Sequence, residues 1–411
     1  MSFLVEKRDY LHKLIEDNKN VYIQISHQIH ENPEIGNEEF FASSTLIDLL
    51  ESANFQVEKG IAGHETSFYA IKDSGIEGPT VAFLAEYDAL PSIGHADGHN
   101  IIGTASVAAS ISLAEMLNET GGRIIVLGTP AEEGGSKGSS KGNFVRLGYL
   151  EDVDVALIIS PSSKTTLSCE TLALESLDFH FIGQATHPTA ASNKTINALE
   201  AVVHFFNGIH ALRSQLPSDV SIHGIITHGG DSPNIIPYFA SARIHVSAKN
   251  WKKTEEISEK VRFLANGATL VTGTSVKIER FQNEVQDFVV NSVLDEVIHS
   301  EFEAIGEVVY TESKHYNDST DAGNISYVVP TARPSIKIGP DDLVAHTIEF
   351  REAAKSKAAD EALIKGAKVL ATTGYRILTD AKLLHQIRKE FNASLARKAK
   401  ADGMGVCDLK D

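Results

Sequence analysis

The stretch TVAFLAEYDALPSIGHADGHN, residues 80–100, decides the fold. It opens on a short apolar run, Thr80 to Glu86, behind a Gly-Pro breaker. Such a run predicts a buried strand. A polar loop follows, and an Ala-rich segment from about Ile101 to Leu117 predicts a helix. The same grammar recurs downstream. RIIVLGT (Arg123–Thr129) is a second buried strand that opens into PAEEGGSKGSSKG, and DVALIIS (Asp154–Ser160) is a third that opens into PSSK. Strands alternating with polar loops and helices predict an α/β fold with a mostly parallel central sheet flanked by helices. In such sheets ligands gather beyond the strand C-termini, where all three polar loops lie.

Upstream, the first 55 residues read as helical, with Phe40, Leu46, Leu49 and Leu50 on one face. Downstream, the texture changes near Leu174. LESLDFHFIG reads as a strand, TINALEAVVHFFNGIHAL as a helix, SIHGIITHGG and ASARIHVSAK as strands, TEEISEKVRFLANG as a helix and TSVKIERF as a last strand. This β-α-β-β-α-β order predicts an inserted ferredoxin-like α+β domain. The expected boundaries are 1–173 for the first part of the main domain, 174–282 for the insertion, and 283–411 for the second part, ending in a charged C-terminal helix.

The chain has 411 residues, 42% hydrophobic and 22% charged, which suits a globular protein with a large core. Its net charge is 37 − 55 = −18. That balance argues against nucleic-acid partners, which need clustered Lys and Arg, and against anionic membranes. Only Cys169 and Cys407 are present, so no disulfide framework is expected. The N-terminus lacks an apolar signal region and no run reaches a membrane span. A cytoplasmic location is the expectation.

Three places can carry chemistry. Asp97 and His99 are alternate residues of one extended segment and can converge on a point. Carboxylate and imidazole together suit a divalent ion. Alone, the motif also fits a polar turn with capping residues. Glu132 and Glu133 follow the second strand. One can bind a metal while the other takes a proton from water, although an acidic pair before a Gly-rich turn is commonly just solvated. Asp88 ends a strand and either orients a ligand histidine or caps the next turn. His95 is a ligand, a supporting group or a turn residue. His204, His210, His223, His228, His245 and His315 show no tight spacing. The glycines of EEGGSKGSSKG do not meet the phosphate-loop order.

Taken together, HQIHENPEIGNEE, AFLAEYDALPSIGHADGHN, GTPAEEGGSKG, FIGQATHPTAA with INALEA, SPNIIP, STDAGNISYVVP and AHTIEF resemble the aminoacylase and carboxypeptidase G family of metallopeptidases, peptidase family M20. The resemblance covers roughly residues 10 to 375 and is narrowest to the amidohydrolase branch of auxin-conjugate and aminobenzoyl-glutamate hydrolases. It implies a catalytic domain with a lid that dimerises, so a homodimer through the inserted domain. It implies one or two Mn²⁺ or Zn²⁺ ions per chain. Glu132 would be the general base acting on a metal-activated water. Glu133 and His346 would hold one metal and His99 the other, with Asp97 as bridge. His187 would polarise the scissile carbonyl, and Asn234 would touch substrate.

Three positions depart from that branch. Asp97 stands where it usually has Cys, which favours oxygen-preferring ions such as Mn²⁺. Ser160 stands at a ligand histidine position, and a neutral serine is a poor ligand. Ser247 stands where an Arg usually clamps a substrate carboxylate. Arg243, His245 and Lys249 share its strand face by the period of two and are the candidates to compensate. The expected function is metal-dependent cleavage of an amide bond in a small N-acyl amino acid, dipeptide or related amide. The alternatives are an amidase or aminohydrolase for substrates lacking the α-carboxylate, and a catalytically silent binding homologue.

Overall fold

The computed structural model describes residues 2–184, 195–310 and 318–401. It divides into two compact units. The first comprises Met1–Glu170, Phe288–His315 and Asp321–Asp411; the second comprises Thr171–Asp287 with Tyr316–Thr320.

The strands in chain order are β1 Gln56–Lys59, β2 Phe68–Asp73, β3 Thr80–Ala85, β4 Arg123–Gly128, β5 Val155–Leu157, β6 Ser160–Ser162, β7 Ala173–Ile182, β8 Ser221–His228, β9 Phe239–Ala248, β10 Ser275–Arg280, β11 Thr331–Ala332 and β12 Ser335–Lys337. The main sheet of the first unit has the order β1-β2-β4-β3-β5-β11. Its β4, β3, β5 and β11 run parallel, and β1 and β2 add an antiparallel edge. The sheet is therefore largely parallel, as the α/β grammar predicts. Every residue of β3 is buried, as an apolar strand covered on both faces must be.

Two details differ from the sequence reading. The hairpin β1–β2 escaped it, because neither strand shows a long apolar run. The segment Asp154–Ser160 is not one strand. It ends in β5, and β6 starts at Ser160 in a separate two-stranded sheet with β12. Past Thr347 the chain forms two helices, Ile348–Ala353 and Lys357–Thr379, and the Ser356 side chain caps the second by accepting from Ala359 N.

The Ala-rich helix starts at His99 and runs to Ala114, two residues earlier than its apolar pattern suggests. Nearly all of it is buried, which its small side chains permit. Gly103 marks the closest approach: a Cβ there would lie 2.5 Å from the Glu86 carbonyl. This packing holds the start of the helix against the end of β3.

The second unit contains a four-stranded antiparallel sheet, β10-β7-β9-β8. The helices Ala198–Arg213 and Trp251–Thr272 share an apolar cluster with one sheet face, centred on Phe179, Phe205, Ile244 and Val261.

Candidate active site

Loops at the C-terminal ends of β3 and β4, the first turn of the helix from His99, and the turn before Ile348 bring the site together. His99 is fully buried. Its Nδ1 lies 2.9 Å from Asp88 Oδ1, which fixes Nδ1 as an N–H donor and turns Nε2 toward the other acids. Around Nε2 stand Asp97 Oδ2 at 3.5 Å, Glu86 Oε2 at 3.7 Å and Glu132 Oε2 at 3.8 Å. His346 Nε2 lies 3.5 Å from Glu133 Oε2 and 3.9 Å from Asp97 Oδ1. Asp97 thus faces both imidazoles. Asp97, His99 and Glu133 each offer a ligand atom within 4.8 Å of the others.

The backbone around these side chains is bent. Gly98 has φ +75°, and a Cβ there would lie 2.4 Å from Pro161 Cγ, so only glycine fits between Asp97 and His99. His346 itself has φ +64°, and its N–H donates to Ala96 O at 2.9 Å. A non-glycine residue held in that region marks a place where surrounding structure outweighs local preference.

The electrostatics call for a cation. Burial pulls the His99 pKa down, but Asp88, Asp97 and Glu86 raise it well above the usual imidazole value. Burial, Glu86 and Asp321 push Glu132 well above the usual carboxylate range. Burial and Asp97 do the same to Glu133. The carboxylates crowd together and draw a proton onto Nε2. A divalent ion bound among these residues would take that proton's place and relieve the repulsion. The donor set, mostly oxygen with two imidazoles, fits such an ion.

The remaining expected residues fall as follows. His95 is buried and stacks on His30 at 6.0 Å between ring centres. It belongs to neither cluster of converging ligand atoms. Ser160 is buried in β6, and its hydroxyl has no hydrogen-bond partner among the described residues. In the second unit, Asn234 is exposed and accepts from the Ser232 hydroxyl. His245 and Ser247 are half-buried on one face of β9, beside Arg243. Arg243 is committed: its guanidinium pairs with both oxygens of Asp178, at 2.7 and 2.9 Å, and covers the Phe281 ring. His187 lies outside the described residues.

Four acids and bases around the site were not singled out from the sequence: Glu39, Glu86, Lys141 and Asp321. Glu86 and Asp321 form a second close group with Glu132. The ammonium of Lys141 sits among them, 2.7 Å from Glu86 Oε1 and 2.5 Å from Asp321 Oδ1, with the lysine fully buried. Glu39, also fully buried, accepts from Ala131 N and from the Thr66 hydroxyl. The available signal was position: Glu39 and Asp321 lie inside the quoted segments HQIHENPEIGNEE and STDAGNISYVVP.

Comparison with known proteins bears on this arrangement. Residues 82–375 match the profile of peptidase family M20/M25/M40. The Xaa-Arg dipeptidase of Mus musculus is 33% identical over 387 residues, covering 90% of this chain and 89% of its own. One component of the p-aminobenzoyl-glutamate hydrolase of Escherichia coli (strain K12) is 26% identical over 460 residues, covering 93% of this chain and 94% of its own. Among solved structures, the YXEP protein of Bacillus subtilis, a dinuclear metal-binding peptidase of the M20 family, superposes with a TM-score of 0.62 at 16% identity, covering 88% of this chain and 99% of that one. That likeness concerns the fold. With the profile spanning most of the chain and a full-length relative at this identity, the protein belongs to the M20/M25/M40 peptidase family and is a hydrolase acting on C–N bonds.

Proposed function

We propose that this protein is a metal-dependent amidohydrolase that cleaves the amide bond of a dipeptide or N-acyl amino acid, with Glu132 as general base. The observation that carries the reading is the setting of His99. Asp88 holds one ring nitrogen, and the other faces Asp97, Glu86 and Glu132 within 3.8 Å. Asp97, His99, Glu133 and His346, two carboxylates and two imidazoles, are the residues that would hold divalent metal, one or two ions of Mn²⁺ or Zn²⁺. When bound, such an ion makes water acidic near neutral pH and polarises a carbonyl.

The chain's own residues then have separate tasks. Glu132, 8% exposed at its side chain, accepts the proton from the attacking water and delivers it to the departing nitrogen. Asp88 keeps His99 in one orientation. His187 is assigned the scissile carbonyl. Asn234, His245 and Ser247 are assigned the substrate.

The second unit is assigned the roles of lid and pairing element of a homodimer. Phe263, Leu270 and Val271 support the pairing: they lie exposed along one helix at 71%, 87% and 69%. No helix among the described residues is long and apolar enough to cross a membrane, and a cytoplasmic enzyme is the reading we adopt.

The net charge of −18 favours cationic substrates by steering, and the mouse relative is an Xaa-Arg dipeptidase. Dipeptides ending in Arg or Lys therefore head the test. Protein loaded with Mn²⁺ or Zn²⁺ should release both amino acids from them. Failure across dipeptides, N-acyl amino acids and simple amides would sink the reading and favour the silent binding homologue.

One observation favours a second reading. Because Arg243 is tied to Asp178, it does not replace the arginine missing at Ser247. A substrate without the α-carboxylate suits that face. Equal rates for paired substrates with and without the carboxylate would support it, and strong preference for the carboxylated member would reject it.

A further inference from the structure

We propose that Glu39 is a positioning residue for Glu132, acting through the backbone of the loop after β4. The proposal rests on the reading of Glu132 as general base. Glu39 is fully buried, and its two oxygens have separate tasks. Oε1 accepts from Ala131 N at 2.8 Å, and Oε2 accepts from Thr66 Oγ at 2.7 Å. Ala131, immediately before Glu132, is held at φ +56°, in the left-handed region that an alanine avoids. Its carbonyl is bound too, accepting from Ser139 N at 2.7 Å. On the other side of Glu132, Asp88 Oδ2 accepts from Glu133 N at 3.0 Å. The amides flanking the general base are therefore each anchored by a buried carboxylate.

The rest of the segment runs along the same loop. Gly36 packs so tightly that a Cβ would lie 2.8 Å from Ala131 Cβ. The Asn37 side-chain amide donates to Ser136 O at 3.0 Å. A Glu buried there carries a desolvation cost that an apolar residue would not. Burial and the neighbouring Asp88 push its pKa up to about 7. What Glu39 supplies in return is a pair of acceptors at fixed separation, one of them on the strained residue.

The test uses the full-length enzyme loaded with Mn²⁺, carrying Glu39→Ala, Glu39→Gln or Thr66→Val, on the best-cleaved dipeptide. Glu39→Ala should lower kcat by about 100-fold while KM stays within about threefold, since a misplaced group costs rate rather than binding. Glu39→Gln keeps an oxygen for Ala131 N and should stay within about fivefold of the parent kcat. Metal content by inductively coupled plasma mass spectrometry should be unchanged in both. Hydrogen exchange, which needs no turnover, should quicken across residues 131–139 in Glu39→Ala but not in Glu39→Gln. An unchanged kcat in Glu39→Ala, or metal lost in step with rate, overturns the proposal. So does Glu39→Gln behaving as Glu39→Ala. Should Glu39→Ala fail to fold, Thr66→Val carries the test: a fall in kcat at constant KM supports the proposal, and no change overturns it. A parent enzyme that hydrolyses nothing defeats the reading of Glu132 instead, while the exchange result still reports on the loop.

Discussion

The six-stranded and four-stranded sheets of this molecule treat charge in opposite ways. In the first unit, every residue of β3 is buried, and Glu86, Asp88 and His99 beyond its end are buried with it. Lys141 there is fully buried and has carboxylates at 2.7 and 2.5 Å. In the second unit, β9 alternates buried with half-exposed residues, and its Arg243 pairs with Asp178 at 29% and 16% side-chain exposure. A sealed charge must be matched atom by atom, because water cannot replace a lost partner. A half-exposed one can fall back on solvent. The comparison teaches where chemistry can be held: the unit that excludes water is the one that can keep several carboxylates crowded around His99.

The largest effect should come from setting Glu132→Gln against His245→Ala. The first should cut kcat by about 10²- to 10⁴-fold, as loss of a general base does, with metal content kept. The second, on the open face of β9, should shift KM by less than about tenfold. Comparable losses of kcat in steady-state assays would break the contrast.

Next comes stability. Lys141→Met strands Glu86 and Asp321 in a dry site and should cost about 3–5 kcal/mol in urea unfolding. Asp178→Asn removes one partner of a half-exposed pair and should cost about 1 kcal/mol, discounted for solvent screening. Equal shifts would show that burial does not separate the two pairs.

The smallest effect lies on the outer helix Ser2–Asp17. Burial, Lys368 and Arg8 lower the His12 pKa to about 4. The unfolded chain then takes up a proton near pH 6.5 that the folded chain refuses until about pH 4. Stability is therefore full above pH 6.5, falls through that window, and levels below it. His12→Gln should flatten this slope, by no more than about 1 kcal/mol because the ring is only half-buried. Parallel pH profiles of the urea midpoint for parent and variant would contradict it.

Much of this was legible in the chain. Buried strands announce themselves as apolar runs, and β3 and β4 fall within the runs that predict them. The spacing of Asp97 and His99 and the Glu132–Glu133 pair mark side chains that do converge around one place. What stayed hidden was contact across long separations. Glu39 and Ala131 are 92 residues apart, and Lys141 and Asp321 are 180 apart. Lys141 sits in KGSSKG, which reads as a solvated loop, because lysines are almost never sealed. The break between β5 and β6 was hidden for another reason. Ile158 and Ile159 continue the apolar run while the backbone passes from one sheet to another.

The Lys141–Asp321 pair also sets a schedule. The two residues are separated by 180 positions. At about 5–20 residues per second, a ribosome makes the lysine roughly 9–36 s before its aspartate. Throughout that interval the nascent chain has Glu86 and Lys141 but lacks the second acid that pairs with the cation in the folded site. The core around β3 also takes in Ala332 and Leu370, made later still, so the protein completes its site late in synthesis.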